Sequence, residues 1–222
     1  MKTLIATLVG LLFSGSSSQS AACGCFRGIG SSNDDKPSLT LEVGNETTLS
    51  VCGFERKKYN ENEILISEFN VFNCQTGEVL VEYGALQTCR VAKSEKVLQI
   101  SELKLLPAGK NWKWIQVIIG FQQILVKDEN VVVQTQKPAF EKAVTNKTEV
   151  DSFMQELHKL KGTGKLENPE EILGRLEFLA LNGIQKAEYI LFDFEKYFNF
   201  LTDGAVAEQW NDAVATVKWI NE

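Results

Sequence analysis

Histidine is nearly absent: His158 is the only one in 222 residues. That excludes zinc sites built on several imidazoles. A Ser–His–Asp hydrolase would have to place this one ring against both a nucleophile and an orienting acid. No G-x-S-x-G segment supplies the nucleophile, and His158 sits between Leu157 and Lys159 in an amphipathic helical pattern, the setting of a surface or boundary residue. Long apolar runs are missing as well. The longest late one, Trp114 to Val126, contains three glutamines and is bounded by Lys113 and Lys127, well short of the roughly 20 apolar residues of a membrane-spanning helix. There is no phosphate-cradling glycine loop either. Lys161-Gly-Thr-Gly-Lys165 lacks the P-loop spacing and follows no strand, so it reads as an exposed linker. The formal charge is −6, which disfavours a phosphate backbone as partner. No nucleic acid and no cofactor is expected.

What is present begins at the N-terminus. Lys2 precedes an apolar run from Leu4 to Phe13, then a small polar stretch ending in Ser20-Ala-Ala-Cys23. A charged start, a short apolar core and small residues before a cleavage point make residues 1–22 a secretory signal peptide by pattern. Cleavage before Cys23 would serve either plain secretion or a lipoprotein, in which Cys23 carries the lipid and supplies the membrane contact. Ser20 stands where a lipoprotein signal wants a large aliphatic residue, which favours secretion. Residues 23–37 read as an exposed linker.

Two rhythms divide the remainder. From residue 38 to 136 apolar and polar residues alternate, as in Leu39, Leu41 and Val43 or Val79, Val81 and Tyr83, with Pro107 the only proline in that span. Ile64 and Ile66 slip phase to Phe69 and Val71, which points to a bulge. Turn signals fall at Gly44-Asn45, Gln75-Thr-Gly77 and Lys127-Asp-Glu-Asn130. About seven strands in this span match an immunoglobulin-like antiparallel β-sandwich. Residues 137–222 turn helical. Asn168-Pro169-Glu-Glu171 is a strong helix start, Asn182-Gly183 a stop, and a helix from Ile184 to Leu201 is expected to follow. The fold class expected is α+β: the sandwich followed by an antiparallel helical bundle. This half holds ten Lys and Arg against fifteen Asp and Glu, a net of −5.

Four groups of residues invite a functional reading. Cysteines lie at 23, 25, 52, 74 and 89, all in the first half, and in an exported chain such clustering implies oxidation. If Cys23 carries lipid, Cys25, Cys52, Cys74 and Cys89 form an even set, with Cys52–Cys89 and Cys74–Cys89 among the pairings open. Trp112 and Trp114 flank Lys113, and strand alternation would put both indoles on one face, either stacking on a sugar or peptide or capping a core. Phe192, Phe194, Tyr197, Phe198 and Phe200 crowd nine residues, more than one helix stripe needs. They serve core packing or a partner patch. Glu68, Glu82, Asp193 and Glu195 are the acids nearest apolar surroundings. A glycosidase would need two of them about 5–10 Å apart in a cleft, whereas an ordinary solvated face asks nothing of them.

These observations favour an exported, non-catalytic binding or surface-interaction protein, located in the periplasm, on the cell surface or outside the cell, with a protein or carbohydrate partner. The alternatives are a secreted hydrolase using carboxylates, acting on glycans, and a structural component docking through its helical part.

Overall fold

Short connections dictate the topology of the first half. Each strand returns through a brief connection to pair with the one before it. The computed structural model describes residues 23–25, 36–43, 47–108, 110–128, 130–138, 146–161, 166–198 and 204–222. The strands are β1 (Leu39–Val43), β2 (Thr47–Asn60), β3 (Glu63–Asn73), β4 (Val79–Ser94), β5 (Val97–Pro107), β6 (Trp114–Lys127) and β7 (Asn130–Gln136). They form one seven-stranded antiparallel sheet in sequential order. The two-sheet sandwich expected from the strand count is therefore not what the pairing gives. Strand number and spacing carry no record of how many sheets the strands share. The signal peptide region, residues 1–22, lies outside the described residues, as does part of the expected linker. Among the described residues no helix is long and apolar enough to cross a membrane.

The sheet curls without closing. Lys93 on β4 donates to the Thr40 carbonyl of β1 at 2.9 Å, although three pairings separate the two strands. The bend is produced where the sequence slips phase. Glu68 is left out of the register with both neighbouring strands and adopts a left-handed φ of 47°, the signature of a bulge that sharpens local twist. Opposite it, Gly53 sits so close that a Cβ would lie 2.3 Å from Phe69 Cβ and 2.4 Å from the Glu68 carbonyl. Only glycine fits there. The concave face of the curl holds the sheet core: Leu41, Leu49, Val51, Ile64, Phe69, Val71, Val91, Leu98, Ile100 and Ile124 among others.

Alternation along β5 carries that face from one core into the next. Leu98 and Ile100 lie in the sheet core, Glu102 and Lys104 follow on the same side, and Leu106 belongs to the helical core together with flanking Val117 and Ile119 of β6. The helices thus cover the part of the sheet that the curl leaves open. They are α1 (Lys147–Leu160), α2 (Pro169–Leu181), α3 (Gln185–Phe192), α4 (Phe194–Tyr197) and α5 (Ala205–Asn221). Central among them is α2, buried on nearly every side from Ile172 to Leu181. Its Gly174 meets β5, where a Cβ would come within 2.8 Å of Pro107 Cδ. As the sequence implies, α2 begins at Pro169 after Asn168 and ends at Leu181, with Gly183 just beyond its cap at a φ of 78°. The single helix expected from Ile184 to Leu201 is instead broken at Asp193, which leaves helical geometry with a ψ of 23°.

Candidate functional site

The cysteines resolve by strand face. Leu49 and Val51 point into the sheet core, so Ser50 and Cys52 between and beside them point out through the convex face. Cys89 on β4 points inward, fully buried in the core. A bridge between Cys52 and Cys89 would have to pass through the sheet, which corrects the inclusion of Cys89 in the disulfide set. The bonds formed are Cys23–Cys74 and Cys25–Cys52, and Cys89 stays a free thiol. Cys23-Gly24-Cys25 is clamped across β2, with Ser50 Oγ 2.9 Å from Cys23 Sγ and 3.3 Å from Cys74 Sγ. The Cys23 sulfur, the possible point of lipid attachment, is bonded to Cys74. Burial pushes the Cys89 thiol pKa well above its ordinary range, with Glu102 adding to the shift. That suppresses the thiolate on which cysteine reactivity depends.

Strand β5 brings charged groups to the seam between the cores. Lys104 Nζ lies 2.6 Å from Glu177 Oε1 on α2 and 2.6 Å from Asp212 Oδ2 on α5. Glu177 is completely buried, and its Oε2 has no partner among the described residues. Burial raises the Glu177 pKa to about 7 against the pull of Lys104. Burial also works against the Lys104 charge, but Glu177 and Asp212 outweigh it and raise its pKa. Glu102, one alternation earlier, is raised by burial as well, with Gln87 at 3.5 Å opposing the shift. This network joins strand to helices. The sequence did hold a signal for it: a helix apolar on nearly every side leaves its one mid-helix carboxylate, Glu177, no route to water.

Trp112 and Trp114 do not share a strand. Asn111 and Trp112 take left-handed φ values of 55° and 57° in a short 3-10 turn over Lys110–Trp112, and β6 starts only at Trp114, so alternation does not relate the two rings. Trp112 packs on Phe153 with centroids 5.3 Å apart, beneath the Arg175 guanidinium at 5.0 Å. Trp114 is 43% exposed and reaches towards Gly174 of α2. Of the aromatic run, Phe194 and Phe198 are buried with centroids 4.9 Å apart. Phe192 lies half-buried under Lys218 at 5.4 Å, Tyr197 is half-buried, and Phe200 lies outside the described residues. The four acids fall in two places, Glu68 and Glu82 on the adjacent strands β3 and β4, and Asp193 and Glu195 two residues apart at the helix break. Glu68 sits in the bulge, Glu82 is exposed on β4 opposite Asn70, Asp193 at the helix break pairs with Lys196 at 2.6 Å, and Glu195 is exposed on α4.

Helix α1 separates two clefts of opposite character. One, of about 340 Å³, is lined by Glu156, Leu160, Glu167, Asn168, Glu171, Ile172 and Arg175. Its single cation is already engaged: Arg175 bonds Glu171 and lies 3.8 Å from Glu156. The other, of about 190 Å³, is lined by Met154, Leu157, His158 and Lys161 of α1 and its C-cap, by Lys186, Tyr189 and Ile190 of α3, and by Tyr197 and Phe198 at α4. Its floor is apolar, with Met154, Leu157, Ile190 and Phe198 all buried. At its mouth the Lys161 ammonium sits 4.3 Å over the Tyr197 ring, and Tyr189 meets Tyr197 edge-on at 6.3 Å. Such a floor with a few polar groups at the rim is the usual form of a small-molecule site. The sequence reading singled out His158, Tyr197 and Phe198 but for other roles, and it did not connect them with Lys161 or Lys186. No family model matches the chain, and no curated protein and no solved structure matches it.

Proposed function

We propose that this chain is an exported, non-catalytic binding protein whose ligand enters the cleft between α1, α3 and α4. Export is supported by the N-terminal pattern and by two disulfides, which persist in oxidising compartments. The observation that carries the binding role is the cleft itself: buried aliphatic and aromatic side chains form a floor that stays open to solvent beside a polar rim. A ligand seated on such a floor takes its own apolar body out of water.

Met154 provides the test. It lines the cleft and is one of only two methionines, the other being Met1, so carbon-13 methyl labelling places a reporter in the floor. Titration with a panel of neutral, acidic and basic single-ring aromatics is expected to shift the Met154 resonance saturably, with each probe recovered unchanged. If no member of the panel moves it, the binding role at this cleft is wrong.

A further inference from the structure

We infer that the ligand of this cleft is a small organic monoanion, a carboxylate carried on one aromatic ring or a short alkyl chain; the inference rests on the binding role proposed above. Size limits the apolar body. An engineered apolar cavity of about 150 Å³ takes up benzene, and this cleft measures about 190 Å³, enough for one ring or a short chain with its head group at the mouth.

Charge selects the head group. The helical half is strongly acidic, with fifteen carboxylates to ten basic side chains. Yet no carboxylate lines this cleft, while Lys161, Lys186 and His158 all do. Among the described residues none of the three forms an ion pair with an acid. On the far side of α1, by contrast, Arg175 is held by Glu171 and Glu156. Cations near the end of α1 complement its dipole without any ligand. Lys186 cannot be explained that way, because it occupies the second residue of α3, where the helix dipole favours an anion and disfavours a cation. A carboxylate seated between Lys186 and Lys161 would answer both charges and accept charge-assisted hydrogen bonds from each ammonium.

The Met154 methyl resonance again reads the outcome, now with three probes sharing one body: phenylpropionate, phenylpropanol and phenylpropylamine. Phenylpropionate is expected to bind about tenfold more tightly than the alcohol, as for a hydrogen-bonded charge, and the amine to bind least. Lys161→Gln combined with Lys186→Gln should bring the acid and the alcohol within about twofold, and added salt should narrow the gap in the parent protein. Lys186→Glu alters an exposed residue and should move the preference towards the amine. Acid and alcohol titrating alike, or a gap that survives the double substitution, would overturn the anion assignment and leave the binding role standing. A resonance that none of the three probes shifts would overturn both.

Discussion

Gly53 and Lys104 each hold one part of the molecule together, by opposite means. Around Gly53 the sheet is fixed by sterics and covalent bonds: a bulge at Glu68 that admits no side chain opposite it, and two disulfides stapling the chain's described start across β2. Around Lys104 the helices are held to the sheet by apolar burial and one charge network in which Glu177 is wholly buried. The helical half contains no cysteine. The sheet should therefore answer to backbone crowding and redox state, and the seam to pH.

The largest effect is expected at Gly53. Gly53→Ala would force β2 and β3 apart at the bulge, because the contacts it meets are a Cβ and a backbone carbonyl, not the end of a flexible side chain. A loss of roughly 4 kcal/mol or more is expected in urea denaturation, at the far end of single-substitution effects. A loss within about 1 kcal/mol would mean that the bulge yields, and that sterics do not set the shape of the sheet.

Next comes the covalent tie. The bonds close separations of 27 and 51 residues, and removal of either by paired Cys→Ser substitution should cost on the order of 3–4 kcal/mol. Reduction should lower the midpoint of a sheet signal, while Cys89, buried and held as a thiol, stays unlabelled by alkylating reagents until the sheet unfolds. Labelling of Cys89 in the native oxidised protein would break this side of the comparison.

How much of this the sequence carried depends on the distance over which each feature is decided. The bulge was legible from the phase slip between Ile66 and Phe69, and α2 from Asn168-Pro169 and Gly183, since turn and cap chemistry is local. The same short turns already imply a meander, and the strand count misled by inviting a two-sheet analogy. Cysteine partners were illegible because they depend on which face each strand turns outward and on where residues 23–25 cross β2. The cleft was hidden for a like reason. His158, Lys161, Lys186 and Tyr197 lie on segments far apart in the chain, and only the turn after α2 brings α3 beside α1.

The smallest and most discriminating effect is the pH response of the seam. A folded pKa of about 7 for Glu177 stands above the ordinary carboxylate value of about 4.3, so between those limits the folded chain keeps a proton that the unfolded chain releases. Stability from this group is therefore complete below the unfolded pKa and falls as pH rises towards 7, by at most about 1.4 kcal/mol per unit. Glu102, raised in the same direction, adds to the fall. Above pH 7 the parent protein should level off, because Glu177 is then ionised and Lys104 holds it. Lys104→Met removes that support and drives the Glu177 pKa higher still. The two proteins should run nearly parallel in acid and diverge above pH 7, reaching a gap of about 2–3 kcal/mol by pH 9. Glu177→Gln should flatten the slope of the parent between pH 5 and 7. Parallel curves for the parent and Lys104→Met from pH 5 to 9 would mean that Glu177 is not held by Lys104 in solution, and that burial alone fastens the helices to the sheet.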